Sequence, residues 1–195
     1  MVSRDGAGAM AAGGPQPKGV KRFKLQTRVP FYIIGGLGVL VLAVRLLWPV
    51  YGPELIFNYT HSEPYGIYEV HRLDAKQYRR GAMVVFPVPE PFRELVTQRG
   101  WVNPGHPLMK GIGALEGDEV CVSDTELKIN GKAMGPVFTV DSMGRAMPSV
   151  RGCFTIKPGE FFPLSTYTEK SFDGRYIGPQ PLSSIVGRLE PIWTF

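Results

Sequence analysis

Histidine and cysteine are scarce in this chain, at three and two among 195 residues. His61, His71 and His106 stand at no metal-ligand spacing with Cys121 or Cys153, and no H-E-x-x-H pair or close His/carboxylate cluster exists. Metal-assisted hydrolysis has nothing to rest on. There is no G-x-S-x-G elbow, and the histidines form no Ser-His-Asp set, which removes the commoner serine hydrolases. Positive charge is missing where a nucleic-acid face would need it. Of 22 basic and 17 acidic residues, residues 1–30 hold six basic (Arg4, Lys18, Lys21, Arg22, Lys24, Arg28) and one acidic, Asp5, leaving 16 of each elsewhere. The net charge of +5 therefore belongs to the N-terminal tail, and the neutral body offers no basic surface to nucleic acid. No internal repeat is present.

Glycine (24) and proline (18) are abundant, which favours a turn-rich β fold over a helical bundle. The length suits one well-buried domain of about 150 residues with accessory segments. The opening "MVSRDGAGAMAAGGPQPKG" is low-complexity and has nothing to bury, so residues 1–28 are expected to be a disordered basic tail. Residues 29–44, "VPFYIIGGLGVLVLAV", carry no charge, and "RLLWPVY" continues them. Phe31 to Trp48 is about 18 residues, or about 27 Å as a helix, close to a hydrocarbon core of about 30 Å. Arg45 lies near the far end, where its stem reaches the interface beside Trp48 and Tyr51. A buried core helix and a cleaved signal peptide are the alternatives. The basic flank on one side alone, and Ala43-Val44-Arg45 in place of an A-x-A site, favour an uncleaved anchor over 29–49 with its N-terminus in the cytoplasm. The body, 50–195, then lies outside the cytoplasm. In an oxidising compartment, Cys121 and Cys153 are expected to pair; two small buried apolar residues are the other reading.

Past residue 50 the signals are mostly β. "GIYEVHRL" and "GAMVVFPV" are short apolar runs bounded by turn formers. "DEVCVSDTELKINGKAM" reads as paired strands with Asn130-Gly131 at a tight hairpin turn, and "SSIVGRLEPIW" as a closing strand. A short helix or a surface loop fits between Pro91 and Gly100.

Two residues stand out as chemistry. Ser62, in "NYTHSEPYGIYEV", is either a nucleophile on a stiffened stretch or a polar linker residue. His61 does not serve as its base, because neighbouring side chains on an extended chain point to opposite faces. A lysine kept neutral by burial can do so. Lys110 sits between Leu108-Met109 and Ile112 on an apolar strand, whereas Lys76, Lys132 and Lys170 have polar company. Taken alone, it is also readable as a snorkelling lysine at a core edge.

Four blocks in order resemble the signal peptidase I superfamily of serine–lysine peptidases. They are Ser62-x-Pro64, "RRGAMVVF" (79–86), Lys110 followed by Gly117-Asp118, and "SFDGRYIGP" (171–179). Ala82 stands where the family has Asp, and Glu116 where it has Pro. The Asn58–Tyr68 form of the serine box, and a C-terminal box that "PLSTYTEK" precedes, are similar to conjugative-transfer peptidases of the TraF type.

The resemblance implies a mainly β, signal peptidase-like catalytic domain behind one N-terminal transmembrane helix. It implies a single-pass bacterial inner-membrane protein with its catalytic domain in the periplasm. Ser62 would be nucleophile and Lys110 general base. The Ser62 N–H and the Thr60 hydroxyl would form the oxyanion site, with Thr60 and Ser62 sharing a face if the stretch is extended. Ser171 would orient the Lys110 amine, and Asp173 with Arg175 would hold the last box in place. The implied partners are a precursor pilin or other exported preprotein, the inner membrane, and conjugation or type IV secretion components, with no cofactor and no metal. A general signal peptidase, and a non-enzymatic pilus or secretion scaffold, are the alternatives.

Overall fold

The computed structural model describes residues 29–51, 54–72 and 77–195; the expected basic tail lies outside them. Two compact units divide the chain between Tyr51 and Gly52.

The first unit contains helix α1, Val29–Tyr51, two residues longer than the expected anchor. Its 23 residues rise about 35 Å. Side chains are described from Phe31 to Leu47, and large apolar ones such as Phe31, Ile34, Val39 and Leu46 are exposed. Among the described residues no helix is long and apolar enough to cross a membrane.

The second unit is β-rich, as its composition of apolar runs and turn formers predicts. Its strands are β1 (Leu55–Asn58), β2 (Gly66–His71), β3 (Met83–Phe86), β4 (Leu108–Leu115), β5 (Glu119–Val122), β6 (Glu126–Ile129), β7 (Lys132–Pro136), β8 (Gly152–Thr155), β9 (Glu160–Leu164), β10 (Gln180–Pro181) and β11 (Gly187–Thr194). Helix α2 covers Arg93–Gln98, preceded by a 3₁₀ turn at Glu90–Phe92, and α3 is a single turn, Gly174–Ile177. Among the described residues the strands form a seven-stranded sheet, ordered β1-β2-β11-β3-β4-β9-β10, and a four-stranded sheet, ordered β7-β6-β5-β8. Neighbouring strands run antiparallel throughout.

Strand β9 joins the two halves through the two-residue alternation of a strand. Phe161 packs with Val84, Phe86 and Tyr176, while Phe162 and Leu164 pack with Val120, Leu127 and Ile156 under the smaller sheet. Burying one such side chain contributes about 1.5–3 kcal/mol, so β9 anchors both cores.

The β6–β7 hairpin turns at Asn130 and Gly131, with φ of 50° and 76°. Both are left-handed, as a type I′ turn requires, and Asn-Gly is the pair that adopts it at least strain. Cys121 and Cys153 face each other across β5 and β8 and form a disulfide with Cα atoms 4.0 Å apart. Arg80 donates to both carboxylate oxygens of Asp118 at 2.6 and 2.8 Å, tying the second sequence block to the third. This hydrogen-bonded ion pair holds Asp118 down at about 2, well below the usual carboxylate range.

Candidate active site

Ser62 lies in the connection between β1 and β2, which pair from Leu55↔Glu69 to Asn58↔Gly66. The connection is a turn, so the condition of an extended stretch from Thr60 to Ser62 is not met. The reason is Asn58, the buried last residue of β1. Its amide Nδ2 donates to the carbonyls of Thr60 (3.1 Å), Glu63 (2.8 Å) and Pro64 (3.0 Å). Its Oδ1 accepts from the Thr60 N–H at 3.0 Å and the Thr60 hydroxyl at 2.8 Å. One side chain thus replaces the ladder bonds that an extended chain would have made. Tyr68 donates its hydroxyl to Pro64 O at 2.7 Å, and Ser165 donates its hydroxyl to Ser62 O at 2.6 Å. The turn closes at Gly66, where φ is 151° and a Cβ would stand 2.0 Å from the carbonyl oxygen of Trp193. Only glycine fits there.

Thr60 and Ser62 do come together, with their hydroxyl oxygens 3.2 Å apart, although through turn geometry and not a shared strand face. His61 points elsewhere: it contacts the Tyr65 hydroxyl on the surface.

Lys110 enters from the other side. Strand β4 is hydrogen-bonded to β3 and β9, so it is covered along both edges, with Val84 opposite Lys110 and Leu164 opposite Gly111. Alternation puts Lys110 on the same face as Leu108 and Ile112, which belong to the cluster of Phe86, Phe161 and Tyr176. Lys110 is 2 % exposed. Its Nζ donates to Ser62 Oγ at 2.6 Å and to Met109 O at 2.8 Å. Burial pushes its ammonium down to about 8, against the charges of Glu63 and Asp173, which favour the cation; Arg175 pushes it down further. A neutral amine in this position keeps one N–H on Met109 O and turns its lone pair to the Ser62 hydroxyl.

Residues 171–178 are buried without exception. Arg175 donates through Nε and Nη2 to the two oxygens of Asp173 at 2.9 and 2.7 Å, and through Nη1 to the carbonyls of Pro136 and Glu169. Asp173 also caps α3 by accepting from the Arg175 N–H, and accepts from Ser165 N at 3.0 Å. A bidentate pair with its remaining donors satisfied is the form in which buried charges persist. Ser171 behaves differently. Its buried Oγ has no hydrogen-bond partner among the described residues, and Lys110 Nζ is held by Ser62 and Met109 instead.

Ser62, Thr60 and Lys110 line a cleft of about 780 Å³. Its walls include Ile56, Trp101, Phe138, Val140, Met147 and Phe172, an apolar lining suited to a peptide segment. A second hollow, of about 690 Å³ around Pro87, Arg93 and Thr97, holds neither Ser62 nor Lys110.

Three residues of this site had no role assigned from the sequence: Asn58 and Glu63, which belong to the serine box, and Ser165. Asn58 had the one available signal, a turn-forming side chain four residues before a Ser-x-Pro. Glu63 and Ser165 gave none, since nothing in a glutamate beside a proline or a serine in "PLSTY" marks it for burial.

Residues 37–194 match the family described as "Signal peptidase, peptidase S26". The chain is 32% identical over 168 residues to a conjugal transfer protein TraF of Agrobacterium fabrum, covering 82% of this chain and 93% of that one. It is 29% identical over 187 residues to a plasmid transfer protein TraF of Escherichia coli, covering 90% and 100%. A signal peptidase I structure from Enterococcus faecalis overlaps 58% of this chain and 97% of its own at 21% identity, with a TM-score of 0.35, too distant to add to the family match. With that match running from within α1 to the penultimate residue, the chain belongs to the signal peptidase family, peptidase S26.

Proposed function

We propose that this protein is a membrane-anchored serine endopeptidase whose Ser62/Lys110 dyad processes an exported precursor, a conjugative pilin. The observation that carries the reading is the 2.6 Å contact between a buried lysine amine and a serine hydroxyl at the floor of an apolar cleft. Neutral Lys110 takes the Ser62 proton as Oγ attacks the substrate carbonyl, and the proton then passes to the departing amine. The acyl-enzyme is resolved by water, or by an amino terminus of the pilin to give a cyclic product. The oxyanion forms beside the Ser62 N–H and the Thr60 hydroxyl, whose hydrogen rests on Asn58 Oδ1 and swings to the developing charge. One such donor is worth about 10²–10³ in turnover. Asp173 and Arg175 hold the wall of the site, and Ser171 supplies a buried hydroxyl close by in the chain.

Helix α1 is read as the anchor, with the tail in the cytoplasm and the peptidase unit in the periplasm, where a precursor emerges. The conjugal and plasmid transfer names of the relatives support a role in conjugation, the setting in which a pilin is the proposed substrate.

Ser62→Ala and Lys110→Ala, each expressed with the pilin precursor, should lower processing in membranes about 10⁴-fold or more. Wild-type processing by either variant overturns the dyad. Intact pilin processing together with cleavage of unrelated signal peptides would point to a general signal peptidase. Retained pilus assembly without any cleavage by the wild-type protein would point to a scaffold. Mass spectrometry of the mature pilin separates a linear chain from a cyclic one, which is lighter by one water.

A further inference from the structure

Ser165 follows the apolar end of β9 and is 4 % exposed. A buried hydroxyl costs stability unless it is bonded, and this one is bonded on both sides. Its Oγ accepts from the Tyr167 N–H at 3.2 Å, which leaves its own hydrogen to Ser62 O at 2.6 Å. Its backbone N–H donates to Asp173 Oδ2 at 3.0 Å, and Asp173 is itself clamped by Arg175. The residue therefore reaches from the buried ion pair to the backbone of Ser62, 103 positions away in the chain.

The sheet decides what that bond joins. Ser62 stands on the β1–β2 side and Lys110 on β4, with β11 and β3 between them. Ser165 belongs to the Lys110 side: the residue before it, Leu164, pairs with Gly111, the residue after Lys110. The two strands approach closely there, since a Cβ on Gly111 would stand 2.9 Å from Leu164 O. Two hydrogen bonds reach Ser62 from that side, Lys110 Nζ to Oγ at 2.6 Å and Ser165 Oγ to the carbonyl. The first joins the reacting groups and is remade as the proton moves; the second stands outside the reaction. Asn58 does not replace it. Its amide holds the carbonyls of Thr60, Glu63 and Pro64, which fixes the shape of the turn but not its distance from β4.

We propose that Ser165 is a positioning residue that sets the Ser62–Lys110 distance: its hydroxyl ties the Ser62 backbone to the end of β9, the strand paired with β4, and carries the rigidity of the Asp173–Arg175 pair to Ser62. The proposal rests on the reading of Ser62 and Lys110 as the dyad. Without the hydroxyl, the Ser62 carbonyl loses its partner and the turn shifts relative to Lys110 as a unit, still folded around Asn58. The cleft that would hold a substrate is lined by other residues, so binding is spared while the attack on the carbonyl is not.

The test uses the full chain in detergent micelles and an internally quenched peptide containing an Ala-x-Ala segment. Ser165→Ala should lower kcat about 10- to 100-fold, the scale of a displacement approaching 1 Å, while KM stays within about threefold. Ser165→Thr returns the hydroxyl and should bring kcat back to within about threefold of wild type. Melting curves of each variant give the folded fraction at the assay temperature. Wild-type kcat in Ser165→Ala overturns the proposal. So does a loss carried by KM or by the folded fraction, which would make Ser165 structural only. A Ser165→Thr enzyme that melts like wild type yet stays as slow as Ser165→Ala overturns it too. Should Ser165→Ala not fold, Ser165→Cys keeps the size, offers a weaker donor, and must lower kcat with KM unmoved. An inert Ser62→Ala beside a fully active Ser165→Ala refutes the role of Ser165 alone, whereas cleavage by Ser62→Ala refutes the dyad.

Discussion

Replacing Asn58 by alanine tests how Ser62 is held. The substitution removes one acceptor and one amide donor group that together serve five polar atoms of the turn. These losses are unequal. The Glu63 carbonyl is bonded in a fully buried setting, whereas the Thr60 groups are part-buried and recover water, and Pro64 O keeps the Tyr68 hydroxyl. One fully buried orphan costs about 1–3 kcal/mol, and partial losses at Thr60 bring the total to about 2–3 kcal/mol. For a unit of this size that is a fall of about 5–12 °C in Tm. Activity should suffer more. Ser62 Oγ is placed within 2.6 Å of Lys110 by this turn, and a displacement of about 1 Å costs about 10²-fold in rate. Differential scanning fluorimetry and quenched-peptide cleavage, measured on the same preparation below the lowered Tm, separate the two effects. If Asn58→Ala melts and cleaves like wild type, the turn is held by something else and the reasoning fails.

Two further perturbations probe parts remote from the cleft. The Cys121–Cys153 bond spans 32 residues, so Cys121→Ser should lower stability by about 3–4 kcal/mol in urea titrations. It should also abolish the mobility shift that reduction causes in the wild type, and labelling of both thiols in native exported protein would refute the bond. Because Asp118 ionises well below its ordinary value when folded, its ion pair contributes stability above the usual carboxylate range and loses it as pH falls through about 2. Arg80→Ala should therefore shift acid unfolding, followed by circular dichroism, to higher pH; an unmoved midpoint would show that the pair contributes nothing.

Some features were legible because they depend on residue type in a local context, whereas the roles proposed for Ser62 and Lys110 came from the order of the four sequence blocks. Lys110 is conspicuous in "PLMKGIG" since a lysine between apolar neighbours on a strand has few ways to stay in water, and it is indeed buried. The Asn130-Gly131 turn follows from which residues tolerate positive φ. Between Pro91 and Gly100 the sequence left a short helix and a surface loop open, and the helix is what forms. The turn around Ser62 was open in the sequence, where Thr60 and Ser62 share a face only if the stretch is extended. The competing side-chain bonds of Asn58 have no periodic signature. The inward rotation of Glu63 was illegible for a related reason. Adjacent-residue patterns give glutamate to solvent by default, and nothing local in the sequence marks this one for burial.

The strand order carries a consequence for how the enzyme comes into being. The hairpin bearing Ser62, β1–β2, and the pair bearing Lys110, β3–β4, are not neighbours in the sheet; β11 is inserted between them. It pairs with β2 from Arg188↔His71 to Thr194↔Gly66 and with β3 at Gly187↔Val85 and Arg188↔Val84. Residues synthesised more than seventy positions after Lys110 must therefore slot into the sheet before serine and lysine can meet. Such non-local pairing forms late and slowly. The contact between Ser62 and Lys110 is then complete only once β11 has found both of its neighbours.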